Sequence, residues 1–270
     1  MKTGLDFMAA VVEKKRARLR DAQANVSFYN LRASAYEVRS SASRHALRKA
    51  LSSDAQINVI AEIKRASPSK GDLGLHATVE ETARAYSRGG AVAVSILTEE
   101  DYFRGSLADL RLVRRAVSLP VLRKDFIVDD YQVYEAAAAG ADALLLIVAL
   151  LDDETLQRLR AVAETELGMD ALVEVHTSEE MTRASASGAS LIGVNNRNLH
   201  TFEVSTDVSL KLRKEAPAKA LLISESGLRT GSELKQLREV GYNGFLIGEA
   251  LVGSESPESA LRAMIEEAEK

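Results

Sequence analysis

Charged and amide side chains stand at the ends of several short apolar segments of the sequence. Ammonium and carboxyl groups held close together exchange protons with a substrate, and a lysine neutralises negative charge that develops on an oxygen. The candidates for such general acid–base chemistry are Glu62, Lys64, Lys124, Glu174, Asn195 and Glu225.

The spacing of these residues predicts that they share the inner face of a sheet. Residues two apart on a strand point to the same side, so Glu62 lies beside Lys64, and Glu174 beside His176. Burying an unpaired charge is costly, so the charges need either one another or a ligand. A buried structural ion-pair network is the alternative interpretation. For His176 we expect a cap or loop hydrogen bond, not catalysis.

Two strand exits that contain glycine predict a phosphate site. Ser226-Gly227 and Gly248-Glu249 each follow an apolar segment, where small residues leave backbone N–H groups open to an anion. Glu249 fits there only if its side chain points away from the anion. The polar loop of residues 65–71 offers Ser67 and a cover for the ligand.

Strand-like and helix-like segments alternate from Val59 onward. The predicted strands are Val59–Lys64, Ala91–Leu97, Val121–Lys124, Ala143–Val148, Ala171–His176, Ser190–Asn195, Ala220–Ser224 and Asn243–Gly248. Helical patterns separate them, among them Val79–Arg88, Leu107–Val117, Tyr131–Ala139, Glu154–Leu167 and Glu233–Val240. Eight apolar strands with intervening helices favour an α/β fold, the single-domain (β/α)8 TIM barrel.

The segment before Val59 reads differently. Leu5–Ala22 and Ser43–Ser52 have helical patterns, and the charged run of residues 13–16 is predicted to be a solvated helix face. No linker-like composition divides this segment from the rest. We therefore expect one domain over residues 1–270, with a helical extension at 1–55 and eight βα units at 56–270.

Composition limits the possible partners and locations. A net charge of −4 argues against a general nucleic-acid binder, and the apolar run Ala143–Leu151 is about half the length that spans a bilayer. The chain has no cysteine, and the histidines show no metal-ligand spacing. We expect a cytoplasmic protein without a signal peptide, a metal site, a nucleic-acid partner or a membrane partner.

Several long motifs occur in a familiar order. They are residues 61–69 (AEIKRASPS), 95–99 (SILTE), 103–106 (FRGS), 122–126 (LRKDF), 172–176 (LVEVH), 193–199 (GVNNRNL) and 224–227 (SESG). Together they resemble the motifs of the indole-3-glycerol-phosphate synthase family, and the resemblance covers nearly the whole chain.

The resemblance implies a reaction and a role for each charged residue. A carboxyphenylamino-deoxyribulose 5-phosphate would close its ring and lose CO₂ and water, without a cofactor or metal. Lys124 would be the general acid of ring closure, while Lys64 would contact the substrate carboxylate and assist dehydration with Glu62. Glu174 would be the base partner. Asn195 and Glu225 would orient the substrate and the lysines.

The resemblance also implies the binding residues. The phosphate would be held by Ser67, Ser226, Gly227, Gly248 and the N–H of Glu249. Phe126, Pro68 and Leu199 would wall the aromatic ring, and Arg197 would lie near the anthranilate carboxylate. The partner would be a small phosphorylated molecule, and the chain a monomer or weak homodimer.

Three other functions remain open at this point. A Schiff-base aldolase on the same fold would also use strand-borne lysines, but borohydride would trap its covalent adduct. A sugar-phosphate isomerase would share the phosphate site and release no CO₂. A phosphate-binding barrel with structural charges would bind its ligand without turnover.

Overall fold

The computed structural model describes residues 4–68, 70–74, 77–198 and 201–270. Eight parallel strands close into a barrel, each paired with its neighbours in sequence and the first with the eighth. This confirms the predicted (β/α)8 fold. The first to eighth strands are Val59–Ile63, Ala93–Leu97, Val121–Lys124, Ala143–Ile147, Asp170–Val175, Leu191–Asn195, Leu221–Glu225 and Gly244–Ile247.

Helices precede the barrel and surround it. In chain order they are α1 Gly4–Asn25, α2 Phe28–Ser40, α3 Ala46–Leu51, α4 Val79–Arg88, α5 Leu107–Ala116, α6 Asp130–Ala138, α7 Asp153–Ala161, α8 Ser178–Ala186, α9 Asp207–Leu212, α10 Gly231–Glu239, α11 Glu249–Val252 and α12 Pro257–Ala268. The helix predicted to run to Leu167 ends earlier, at Ala161, and continues as a π-helical turn over Val162–Glu166.

The sequence analysis missed α2. Its buried face consists of Leu31, Ala35 and Arg39, so an arginine interrupts the apolar pattern. The Arg39 guanidinium donates hydrogen bonds to the backbone carbonyls of Leu167 and Gly168. It also pairs with the buried Asp142 carboxylate at 3.3 Å, and together these contacts satisfy the buried charge. A helix anchored by an arginine gives only a weak hydrophobic periodicity, which is why the pattern did not predict it.

Alternation along the strands separates two buried layers. Ile60, Leu122 and Leu172 belong to the cluster inside the barrel, while their strand neighbours pack against the helices. Glu62 follows Ile60 by two residues, and Glu174 follows Leu172 by two, so both carboxylates point inward above this core. The barrel therefore places the polar ends of its inner faces at one mouth.

The N-terminal extension contacts both ends of the barrel. The side chain of Leu51 in α3 lies close to Gly244 at the start of the eighth strand, and Phe7 and Met8 of α1 lie at the mouth. Lys15 of α1 is buried, with 5% of its surface exposed, so the prediction of a wholly solvated face for residues 13–16 is wrong. No helix among the described residues is long and apolar enough to cross a membrane.

Candidate active site

A cavity of about 670 Å³ opens at the carboxyl ends of the strands. Its size suits a small-molecule ligand. The predicted site residues that line it are Glu62, Lys64, Ser67, Pro68, Lys124, Phe126, Glu174, Asn195, Arg197, Glu225, Ser226, Gly227, Gly248 and Glu249. Leu199, the other predicted site residue, lies outside the described residues.

Lys124 lies at the centre of the charged groups. It ends the third strand, and its ammonium nitrogen is 3.3 Å from an oxygen of Glu174 and 3.3 Å from an oxygen of Glu225. Burial by itself lowers the pKa of Lys124, but the carboxylates of Glu174, Glu225 and Glu62 outweigh it and raise that pKa. The lysine is therefore held as a cation at neutral pH.

A second ion pair joins Glu62 to Lys64, whose charged atoms are 2.7 Å apart. Burial raises the pKa of Glu62, yet Lys64 and Lys124 outweigh it and hold the pKa below its usual value. The pair needs a glycine across the barrel seam, because a Cβ at Gly248 would lie 2.5 Å from the Glu62 carboxylate. Gly248 thus serves the carboxylate as well as the turn.

Glu174 is held by several partners. The amide of Asn195 donates a hydrogen bond to Oε1 at 3.1 Å, and Nε2 of His176 is 3.2 Å from the same oxygen. Burial raises the pKa of Glu174, but Lys124, His176 and Asn195 outweigh it and lower the pKa well below its usual range. Glu174 is accordingly ionised at neutral pH, with its second oxygen facing Lys124.

Glu225 differs from the other two inner carboxylates. Its side chain is fully buried against Gly193, where a Cβ would clash with the carboxylate. Burial raises the pKa of Glu225 to about 8, with Lys124 opposing the shift and Glu174 adding to it. A carboxyl group with such a pKa is partly protonated near neutral pH, which suits a group that gives and takes protons.

The turn after the seventh strand has a strained, fixed shape. Ser226 and Gly227 have φ angles of 68° and 81°, in the left-handed region. The side-chain amide of Asn196 donates a hydrogen bond of 3.1 Å to the carbonyl of Ser226 and fixes this turn. Nearby, α11 begins at Glu249, so its first backbone N–H groups lie at the cavity.

The Glu249 side chain does not point away from the site, so the condition that the sequence analysis set for its place beside an anion is not met. Its carboxylate lies at the cavity wall, where it pairs with the ammonium of Lys70 and lies 3.5 Å from the guanidinium of Arg197. Two cations on neighbouring loops attract the carboxylate inward. Any anion bound at this wall meets these same cations.

Aromatic side chains that the sequence analysis did not select also line the cavity. Phe103 lies beside Phe126, with ring centroids 6.3 Å apart, and Phe7 lies beside Phe202 at 6.0 Å. Phe103 stands in one of the motifs quoted above, which was a usable signal. Phe7 and Phe202 gave none, because only the folded chain brings α1 to the mouth.

The described residues contain no group of three or more histidine, aspartate or glutamate side chains arranged to hold a metal ion. The chemistry that the cavity offers with its own residues is proton transfer, charge stabilisation and anion binding. A buried cationic lysine between carboxylates of different protonation state can supply the first two, and backbone N–H groups at the start of a helix can supply the third.

Comparison with known proteins points to one family. A family model described as Indole-3-glycerol phosphate synthase matches residues 8–264. An indole-3-glycerol phosphate synthase of Carboxydothermus hydrogenoformans is 47% identical over 96% of this chain and 99% of its own length. One of Mycolicibacterium gilvum is 53% identical over 77% of this chain and 76% of its own length.

Solved structures resemble the fold at low sequence identity. A thiamine phosphate pyrophosphorylase from Pyrococcus furiosus has a TM-score of 0.59 at 19% identity, covering 83% of this chain and 98% of that one. An N-acetylmannosamine-6-phosphate 2-epimerase from Clostridium perfringens has a TM-score of 0.57 at 18% identity, covering 77% and 92%. At such identities the likeness concerns the barrel alone.

Proposed function

Since the chain belongs to the indole-3-glycerol phosphate synthase family, we propose that the charged residues at its barrel mouth carry out that family's reaction. The chain is a carboxy-lyase of tryptophan biosynthesis. Its substrate, 1-(2-carboxyphenylamino)-1-deoxyribulose 5-phosphate, closes its ring, loses CO₂ and then water, and becomes indole-3-glycerol phosphate. Family membership selects this function over the aldolase, the isomerase and the non-enzymatic barrel.

Ring closure is assigned to Lys124. The ring carbon that bears the carboxylate attacks the ketone carbon, and negative charge develops on the ketone oxygen. The Lys124 ammonium neutralises this charge and donates the proton. The observation that carries the assignment is the position of this ammonium, 3.3 Å from both Glu174 and Glu225 at the cavity floor.

The later steps are assigned to the remaining charged residues. CO₂ leaves with its electron pair returned to the ring, and the new hydroxyl departs as water while a proton is removed from the neighbouring carbon. Lys64, paired with Glu62 at 2.7 Å, contacts the substrate carboxylate and assists dehydration. Glu174 is the base partner, and Asn195 and Glu225 orient the substrate and the lysines.

Binding is assigned to the loops around this floor. Ser67, Ser226, Gly227, Gly248 and the N–H of Glu249 hold the phosphate, remote from the bonds that change. The Glu249 carboxylate, which pairs with Lys70 at the cavity wall, turns away when the phosphate binds. Pro68, Phe126 and Leu199 wall the aromatic ring, and Arg197 lies near the anthranilate carboxylate. The position of Ser226 and Gly227 at the cavity, in a loop shaped by their left-handed φ angles, supports this arrangement.

The proposal extends to organisation and setting. Residues 1–55 are a helical extension and residues 56–270 the eight βα units of a single domain. The first strand begins at Val59, which agrees with this division. We place the protein in the cytoplasm as a monomer or weak homodimer that requires no cofactor. A net charge of −4 and a cysteine-free sequence are consistent with that setting.

The assignment of Lys124 is tested by Lys124→Ala. The variant is expected to lose roughly 10²–10⁴-fold in turnover, as for the loss of a general acid. The control, Lys219→Ala, should keep normal turnover. Lys219 is exposed just before the seventh strand begins, at the opposite end of the barrel. Formation of the fluorescent indole product measures both. Near-normal turnover of folded Lys124→Ala protein would refute the role.

A further inference from the structure

His176 contacts two carboxylates at the mouth. It follows the fifth strand directly, and 8% of its side chain is exposed. Its Nδ1 is 3.0 Å from an oxygen of Glu180, and that oxygen also accepts the backbone N–H of His176 at 2.7 Å. Its Nε2 is 3.2 Å from Oε1 of Glu174. The ring is thus fixed by α8 on one side and reaches the site on the other.

The charge of the imidazole follows from these neighbours. Burial lowers the pKa of His176, but Glu174 and Glu180 outweigh it and raise the pKa to about 9. The ring is therefore a cation at neutral pH. The cation lies on the side of Glu174 away from Lys124, so the carboxylate is held between two positive charges.

This arrangement divides the work of the two Glu174 oxygens. Oε1 accepts the Asn195 amide and contacts His176, while Oε2 lies 3.3 Å from Lys124. With one oxygen anchored, rotation of the carboxylate is restricted and the other oxygen stays aimed at the lysine. A neutral residue at position 176 would leave the anchoring to Asn195 alone.

We propose that His176 is a positioning residue that keeps Glu174 ionised and aimed at Lys124 during catalysis. Glu180 in turn fixes the ring, so the order of contacts is Glu180, His176, Glu174, Lys124. This proposal rests on the proposed function, in which Glu174 is the base partner. Among the described residues that line the cavity His176 is absent, so it acts through Glu174.

The test replaces His176 by Asn, which retains a donor near the position of Nδ1 but no charge. We expect kcat at neutral pH to fall about tenfold or more, because the Glu174 carboxylate is no longer held toward Lys124, with KM changed far less. The acid limb of the kcat profile should move to higher pH, because Glu174 loses a cation that favours its ionised form.

A matched control lies at the other end of the same strand. His45 contacts Asp170 through Nδ1 at 3.2 Å, so His45→Asn also removes a histidine–carboxylate contact from this strand. We expect that variant to change the unfolding midpoint without moving the acid limb. An equal shift of the acid limb in both variants would overturn the proposal.

A double-mutant cycle separates this proposal from the proposed function. In a Glu174→Gln background, His176→Asn should cost less than about twofold, because its effect acts through Glu174. A full, additive loss there would exclude the positioning role while leaving the function standing. Near-normal turnover of Glu174→Gln alone would instead remove Glu174 from the mechanism. If His176→Asn fails to fold, His176→Gln, with a longer amide, replaces it in the cycle.

Discussion

The third strand carries two buried ionic clusters on its opposite sides. The inner cluster, defined as Glu62, Lys64, Lys124, Glu174 and Glu225, faces the cavity. The outer cluster, defined as Lys15, Thr98, Arg123, Asp125 and Glu135, lies among the ends of the second and third strands, α1 and α6. Of its members, Asp125 also lines the cavity. Arg123 and Asp125 flank Lys124 in the sequence. Because neighbouring residues on a strand point to opposite faces, these two belong to the outer cluster while Lys124 belongs to the inner one.

The two clusters differ in how their carboxylates are satisfied. One oxygen of Asp125 accepts the Thr98 hydroxyl at 2.6 Å and the Arg123 guanidinium at 3.0 Å, and the other accepts the backbone N–H of Phe126 at 2.8 Å. The Lys15 ammonium completes the set at 2.8 Å. In contrast, neither oxygen of Glu225 has a well-aligned hydrogen bond from any described residue, although the Lys124 ammonium is 3.3 Å away.

This difference separates a structural carboxylate, Asp125, from a carboxyl group that can exchange protons, Glu225. Burial raises the pKa of Asp125, but Arg123 and Lys15 outweigh it and lower the pKa, so the outer carboxylate is a fixed anion. Burial raises the pKa of Glu225 to about 8, so the inner one changes its protonation near neutral pH. Fully bonded buried charges hold elements together, whereas under-bonded ones mark a place where a ligand or proton is handled.

The largest loss of stability is expected for Asp125→Asn. This substitution leaves Arg123 and Lys15 buried without their shared anion and should lower the free energy of unfolding by about 3 kcal/mol. That value is the lower end for a broken buried ion pair, because Glu100 and Glu135 still face the two cations. Urea unfolding measures it. The exposed pair of Arg183 and Asp153 provides the control, Asp153→Asn, for which the loss should be below about 1 kcal/mol. Equal losses in both variants would contradict a structural outer cluster.

A moderate loss is expected for Thr98→Val. The variant keeps the shape but removes the hydroxyl that donates to Asp125 and accepts the Arg123 Nε at 3.1 Å. Hydrogen bonds to charged groups are stronger than those between neutral groups, so we expect the free energy of unfolding to fall by about 2 kcal/mol. Turnover should be unchanged. The control is Thr82→Val, which removes a neutral bond to the Thr78 carbonyl and should cost about 1 kcal/mol. A drop in turnover per folded molecule would move Thr98 into the catalytic machinery.

The smallest change in stability at pH 5 is expected for Glu225→Gln. Unlike the two substitutions above, it should stabilise the folded state relative to the parent protein as the pH rises. The Glu225 pKa is about 8 in the folded chain and about 4.3 in an unfolded chain. Between these values the folded state keeps the proton that the unfolded state releases, so the stability of the parent falls as pH rises. The amide does not titrate. Thermal unfolding from pH 5 to 8 should therefore favour the variant increasingly, and a constant difference would show that Glu225 does not titrate in this range.

The inner cluster was predictable from the sequence, but the outer one was not. Lys124 ends an apolar segment and stands in a recognisable motif, and the two-residue period puts Glu62 and Glu174 on inner faces. Lys15 lies 110 residues before its partner Asp125, and the run of charges around it is typical of a solvated helix. Its burial depends on where α1 packs, which local periodicity does not encode.

The same limit explains His176 and Glu249. The sequence places His176 two residues after Glu174, yet the contact with Glu180 depends on the path of the turn between strand and helix. The inward side chain of Glu249 depends on Lys70 and Arg197, which come from two other loops. Ion pairs between loops form only when the barrel closes and brings those loops together.

The sequence by itself determined the order of strands and helices, the inward face of each strand and the residues at its end. These features depend on the spacing of apolar residues, every two residues in a strand and about every four in a helix, which is visible in short stretches of sequence. Only the tertiary structure decided which charges meet, which are fully hydrogen-bonded, and that the pKa of Glu225 rises while that of Glu174 falls. Those outcomes depend on distances and burial among strands far apart in the chain, because electrostatic and desolvation energies are set by the folded surroundings.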